Sequence, residues 1–418
     1  MPDRRAVAGR QPLSARRAVL RVVRRLCQAG FQALLAGGCV RDMLLARTPK
    51  DYDVATDAAP PAVQALFPRT LAVGARFGVV MVLLGGRRIE VATFRSDQAY
   101  ADGRRPQRVV FTDARHDALR RDFTINGMFY DPLARHVIDY VGGRRDLHAR
   151  VVRAIGNPDD RFAEDHLRLV RAVRFAARLD FTLAPDTWRA LQRHAALIRR
   201  VSPERVAAEL EAILTDPRRR RGLELARDAG LLAQIFPTLG PADLNLGIET
   251  VARLPRRCSF PLALAALLVA CDARHAGRLC RALRTSNDLR QQVQWLLESR
   301  PRLLAAAPLS KGRLKKWLAE PLFEPLVRLY RCWCRAAGQG EAPLRVLRRQ
   351  IRQLGDEPVS PPRLLDGHDL LRLGAIPGPM VGQLAEDLYL AQLENQVQTR
   401  DQALAWVRAW LDRHRLRP

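Results

Sequence analysis

The sequence predicts an α+β protein, with a small mixed sheet and its helices at the N-terminal end and helices alone from there to the C-terminus. Three observations carry this. Short apolar runs at 31–36, 79–84 and 89–94, punctuated by glycine, have strand length. Past Gly156-Asn157-Pro158 the apolar spacing changes to the helical period and keeps it almost to the end. Between Leu34 and Thr56, strand, Gly-Gly turn, helix and second strand follow in an order that builds an anion site.

Residues 14–29 read as an amphipathic helix, capped by Ser14 and stopped by Gly30. The run 31–36 reads as a buried strand that Gly37 and Gly38 turn into a helix carrying Arg41. Glycine lets backbone approach a ligand, and a helix start offers unpaired N–H groups to an anion, so this is a triphosphate cradle to which Arg41 adds charge. A second strand is expected to hold Asp51 and Asp53. Residues two apart on a strand share a face, and paired carboxylates repel unless a cation lies between them. The oxygen-ligand cation that works on phosphates is Mg²⁺, for which Asp51 and Asp53 are the expected ligands.

A short helix at 60–67 and strands at 70–73, 79–84 and 89–94 complete a small sheet with helices on one side, the last two strands joined across Gly85-Gly86. In the last strand Glu90 alone interrupts apolar residues, so it faces water, a cation or a ligand; beside the Asp51–Asp53 strand it becomes a third acid. The polar stretch 95–118, with Arg104, Arg105 and Arg108, reads as a mobile loop. Next, Arg120-Arg121-Asp122 precedes an apolar segment; Arg121 suits a phosphate and Asp122 the ribose hydroxyls. Short strands are expected at 137–140 and 151–155.

Residues 159–179 read as one helix, on which Asp165 and Arg168 share a face. Each further step of three rotates back by about 60°, which carries Arg174 to the side opposite Asp165. Beside a nucleotide, a carboxylate accepts from the exocyclic amine of C or A while a guanidinium donates to the ring acceptor; U and G present the reverse pattern. A capped helix follows at 201–214. The run Arg218, Arg219, Arg220 and Arg221 opens another and suits RNA phosphates. Residues 241–360 are Leu/Ala/Arg-rich helices, and a Gly/Pro-punctuated turn from Asp366 feeds one long terminal helix.

Lys and Arg number 70 against 43 Asp and Glu, a formal charge of +27, so a polyanion, nucleic acid first, is the expected partner. No apolar run is long enough for a bilayer and the basic N-terminus lacks a signal peptide's apolar core, so the expectation is a cytosolic protein without membrane contact. Seven scattered cysteines form no disulfide framework, Cys332 and Cys334 read as structural thiols, and His368-Asp369 lacks the partners of a metal hydrolase.

Taken in order, LLAGGCVRD…DYD, EVATFR, RRDFTIN and EDHLRLVRAVRFAARL resemble the class II tRNA nucleotidyltransferase and bacterial poly(A) polymerase family over about residues 30–240, and the C-terminal DLLRLGAIPGPMVG resembles the tail of CCA-adding members. The resemblance implies template-independent, two-metal addition of CCA to a tRNA 3′ end from CTP and ATP, releasing pyrophosphate. The alternatives are a poly(A) polymerase, an enzyme adding only A, or an RNA-binding protein without activity. By the same resemblance Gly38, Arg41 and Arg121 contact the nucleotide, Asp165 and Arg168 select its base, Arg171 and Arg174 belong to its site, and Glu90 is the polymerase branch's third acid. It further implies an N-terminal helix and basic leader at 1–29, a catalytic nucleotidyltransferase head at 30–156, then an all-helical neck at 157–240, body at 241–360 and tRNA-binding tail at 361–418. Gly127 stands where the family more often has Ala, which reads as a more flexible hinge.

Overall fold

The structure, a computed structural model, describes residues 14–72, 78–100, 106–304 and 309–415. The chain forms two compact units, Met1–Gly240 and Pro241–Pro418.

The first unit opens with α1 (Ala15–Gln28), whose Ser14 hydroxyl accepts from the Arg17 N–H at 3.3 Å. Next come β1 (Ala33–Ala36), α2 (Gly38–Leu44), β2 (Asp53–Thr56), α3 (Pro60–Leu66), β3 (Thr70–Leu71), β4 (Val79–Leu84) and β5 (Arg87–Thr93). After them lie β6 (Arg95–Tyr100), β7 (Pro106–Phe111), α4 (Ala114–Leu119), β8 (Phe129–Asp131), β9 (His136–Ile138), α5 (Gly143–His148) and β10 (Val151–Val152). The unit ends with α6 (Pro158–Glu164), α7 (Arg168–Leu179), β11 (Thr182–Leu183), α8 (Pro185–His194), α9 (Pro203–Leu214), α10 (Arg219–Asp228) and α11 (Leu231–Ile235).

Seven strands form one sheet in the order β3-β4-β5-β2-β1-β8-β9. Within this sheet β2 and β5 alone pair in parallel, with Asp53 opposite Glu90, while β10 and β11 form a separate parallel pair. Helices cover both faces rather than one. Val19, Val22 and Val23 of α1 and Val63 of α3 are buried, and both helices contact the sheet strands. Ala114 and Ala118 of α4 join Leu34, Ala36, Ala55, Phe94 and Phe129 in a separate core. The Gly85-Gly86 turn has φ of 58° and 74°, the geometry that lets β4 and β5 close as a hairpin.

Several expectations change. Asp51 precedes β2 instead of lying in it, and Val73, Arg104, Arg105 and residues 1–13 lie outside the described residues. The stretch expected to be a loop is a β6–β7 hairpin, with Arg108 in β7, followed by α4. The expected helix 159–179 is two: α6 ends at Glu164, Asp165 is extended at φ −140°, and α7 starts at Arg168. Gly127 is a packing position and no hinge, since an added Cβ would fall 2.7 Å from Val141 Cγ2 and 3.0 Å from Ile155 Cδ1.

The second unit is helical throughout its described residues: α12 (Pro241–Ala252), α13 (Phe260–Leu267), α14 (Ala273–Ala282), α15 (Asn287–Leu304), α16 (Lys311–Ala319), α17 (Phe323–Ala336), α18 (Ala342–Leu354), α19 (Gly367–Arg372), α20 (Pro379–Leu393) and α21 (Arg400–Arg415). Two helices, α20 and α21, stand where one long terminal helix was expected. Cys332 and Cys334 are buried free thiols. Asp366 caps α19, and Asp369 accepts from the Asp366 N–H in return and pairs with Arg372 and Arg400. Among the described residues no helix is long and apolar enough to cross a membrane.

Candidate active site

A cleft of about 480 Å³ in the first unit is lined by the sheet, by the glycine turn with α2, by Arg120 to Asp122 and Asn126, and by α7 with Asp165 just before it. The sheet wall is acidic. Parallel register sets Asp53 beside Glu90, and adjacent residues on paired strands point to the same face. Water reaches the Asp53 side chain at the cleft mouth. Even so, the enclosing walls, then Glu90, and more weakly Asp51, push its pKa up to about 6 against the opposing charge of Arg121. Asp51 is exposed and not part of the cleft lining.

Among the described residues no three His, Cys, Asp or Glu side chains converge as a closed metal cage. The donor set nonetheless fits a hard cation. Mg²⁺ takes one or two protein carboxylates and fills its remaining positions with water and substrate phosphate. Asp53, with Glu90 beside it and Asp51 two residues before it, offers such oxygens, and burial together with the neighbouring acids raises the Asp53 pKa beyond what Arg121 offsets.

Above the acids lies the glycine turn. Gly37 has φ 73° and ψ −130°, a conformation that costs any other residue. An added Cβ there would fall 3.0 Å from Arg121 Nη1, so Gly37 also makes room for that guanidinium. Its own N–H donates to the Met128 carbonyl at 3.2 Å and is not offered to an anion. At Gly38 a Cβ would make only ordinary contact, 3.6 Å from Arg41 Nη2.

Arg41 and Arg121 are both held from behind. Arg41 is buried; its Nη1 donates to Asn126 Oδ1 at 2.7 Å and its Nη2 to Asp42 Oδ1 at 2.7 Å. Arg121 donates to Asp117 Oδ2 from Nε at 3.1 Å and from Nη2 at 2.8 Å, and stacks over the Phe129 ring at 5.0 Å. Asp122 is buried. Burial alone would raise its pKa, but the Arg171 charge and hydrogen bonds from Arg171 and Asn126 overcome this and hold it at about 2. Arg171 reaches Asp122 Oδ2 from Nε at 3.0 Å and Nη2 at 2.7 Å.

The helix break shapes the end of the cleft that Asp165 and Arg168 line. Asp165 and Arg168 both line the cleft but do not pair. Asp165 accepts from the Leu167 N–H at 3.1 Å and from Arg205 Nη2 at 3.0 Å. Arg168 donates to Glu164 at 2.5 Å and to the Arg120 carbonyl at 3.0 Å. Arg174 lies outside the cleft lining, paired with Glu209 at 2.5 Å. Phe175 carries three guanidiniums, those of Arg41, Arg171 and Arg174, at 5.3, 5.2 and 4.3 Å from its ring centre.

Sequence reasoning missed Asn126, Asp117, Phe175, Arg205 and Glu209. Asn126 alone had a signal, a polar side chain closing an apolar stretch three residues past Phe123. The arginine run departs from expectation more sharply. Arg219 is buried and bound to the Asp216 carbonyl, so no phosphate reaches it. Arg220 pairs with Glu224, while Arg221 and Arg218 lie against Asp180.

A family model described as the poly A polymerase head domain matches residues 33–153, and one described as a probable RNA and SrmB-binding site of polymerase A matches 180–242. The CCA-adding enzyme of Geobacillus stearothermophilus is 33% identical over 405 residues, covering 95% of this chain and 97% of its own. That of Levilactobacillus brevis is 34% identical, covering 88% and 91%. The crystal structure of the Bacillus stearothermophilus CCA-adding enzyme in complex with CTP has a TM-score of 0.76 at 29% identity, covering 97% of this chain and 99% of that one. The ordered motifs, the cleft they build and near full-length likeness agree: the chain belongs to the CCA-adding enzyme family, which are tRNA nucleotidyltransferases.

Proposed function

We propose that this cleft performs the family's reaction, addition of C, C and A to a tRNA 3′ end from CTP and ATP with release of pyrophosphate. Divalent-metal use comes with the family, and the cation proposed here is Mg²⁺, held by Asp51 and Asp53. When bound it lowers the pKa of the RNA 3′-hydroxyl and neutralises charge on the triphosphate. Glu90 closes the acidic wall. Gly37, Gly38, Arg41 and Arg121 cradle the triphosphate from the opposite side. Asp122, fixed by Arg171 and Asn126, faces the ribose. Asp165 accepts from the exocyclic amine of C or A and Arg168 donates to the ring acceptor, while Arg174 braces the site through Glu209 and Phe175. The seven free thiols favour a reducing, cytosolic setting.

The observation that carries the reading is the register of Asp53 with Glu90 in the cleft that also contains Arg121, Asp165 and Arg168. The test offers purified protein three tRNA transcripts, ending before CCA, after the first C and after CC, with CTP or ATP separately. Extension of all three with the right nucleotide is expected. Growth from ATP alone on every transcript would make the chain a poly(A) polymerase, and extension of the CC-ended transcript only would make it an A-adding enzyme.

A further inference from the structure

The second unit carries a basic surface of a different kind. Along α18, Arg345, Arg348, Arg349 and Arg352 are all exposed. At 100° per residue they fall within about 100° of arc and span about 10 Å of helix axis. Leu344, Leu347 and Leu354 are buried on the other side. The helix contains no Asp or Glu, and none of the four arginine side chains makes a hydrogen bond or ion pair among the described residues. Of the acids at its two ends, Glu341 pairs with Arg335 at 2.9 Å and Glu357 with Lys311 and Lys315 at 2.6 and 2.9 Å, while Asp356, exposed just past the helix, makes no ion pair with the four arginines.

Four unneutralised guanidiniums on one stripe repel one another, a cost that a polyanion removes. A coding bias toward arginine explains how many the chain has but not their gathering on one face. The arc contains no apolar residue that could enter a lipid surface, and a guanidinium matches the phosphate oxygens of a backbone. We propose that the arginine stripe of α18 is a phosphate-binding surface for the RNA substrate, gripping its backbone without reading sequence. The proposal rests on tRNA being that substrate, and it assigns a role in holding RNA to a helix outside the catalytic unit.

The experiment replaces the four together, Arg345→Gln, Arg348→Gln, Arg349→Gln and Arg352→Gln, and measures steady-state CTP incorporation on a CCA-less transcript across a salt series. Expected are a KM for tRNA raised about 10-fold or more, a KM for CTP within about two-fold of the parent's, and kcat retained at saturating tRNA. The slope of log affinity against log salt should shrink by roughly 0.7–0.9 for each phosphate that is no longer neutralised. The four Arg→Lys changes should restore most of the affinity. A control removes equal charge from α1 through Arg16→Gln, Arg17→Gln, Arg21→Gln and Arg24→Gln. An unchanged KM and salt slope, or an equal loss in the α1 control, overturns the stripe. Failure of the parent protein to extend any transcript would instead overturn the function proposed for the cleft.

Discussion

On the sheet side of the cleft, Asp53 lies in register with Glu90, faces a single opposing guanidinium, and has its pKa pushed up to about 6. On the helix side, Asp122 is gripped by Arg171 and Asn126 and held at about 2. The two carboxylates belong to one site but differ in who neutralises them. Asp122 has its partners within the chain, so its charge belongs to the fold. Asp53 is partly enclosed and has more negative than positive neighbours, so the chain itself leaves its charge under-balanced. A surplus carboxylate suits a place for an added cation, as proposed for Asp53, and a matched one such as Asp122 is held in position by the fold.

The largest effect that would break this contrast is on chemistry. Asp53→Ala should lower CTP incorporation by at least about 10³-fold, the scale of losing a principal transition-state stabiliser, while filter binding of tRNA stays within about two-fold. Normal turnover in that variant would end the metal assignment. Arg171→Ala should act mainly on stability, because it leaves Asp122 buried without its cation. Breaking a buried pair costs about 3–5 kcal/mol; Arg171 keeps 32% of its side chain in water, so about 2–3 kcal/mol in urea unfolding is expected.

Smaller is the difference between the two turn glycines. Gly37→Ala forces an unfavourable conformation worth about 1–3 kcal/mol and crowds Arg121, so it should raise KM for CTP well above that of Gly38→Ala. Equal effects would remove the proposed role of Gly37 in seating Arg121. Smallest is the pH response. A carboxylate with a folded pKa raised to about 6 gains a proton before its unfolded counterpart, so Asp53 opposes folding above pH 6 and stops opposing it as pH falls from 6 toward 4. Asp122, depressed to about 2, contributes stability that is full above pH 4 and lost as pH falls through 2. The rise in melting temperature given by Mg²⁺ with CTP should therefore shrink below pH 6, and Asp53→Asn should flatten that dependence.

Much of the sheet side was legible because its signals are local. The Gly-Gly turn, the Gly85-Gly86 hairpin and a lone Glu90 among apolar neighbours each announce themselves within a few residues. The helix side was not, because its determinants are distant in sequence. Nothing between Asp159 and Leu179 resembles a helix breaker; the break at Asp165 comes with Arg205, 40 residues on, holding the carboxylate, and with His166 Nδ1 lying 2.9 Å from the Phe162 carbonyl. Strand β8 spans three residues, below the length at which alternation shows. The β6–β7 hairpin hid in a stretch too polar to read as strand. Arginine spacing misled in the same way. Neighbours in a run project 100° apart into different surroundings, so Arg218 to Arg221 scatter among acids and core, while positions three, four and seven apart on α18 share one side.

The parallel pairing of β2 against β5 limits what lengths of chain the head tolerates. Side chains alternate faces with every residue along a strand. Removing one residue between Arg87 and Glu90 would turn the glutamate toward α1 and α3 and bring an alkyl group to the cleft. Even insertions there would keep the acid on its side and shift it along the strand, and odd ones would not.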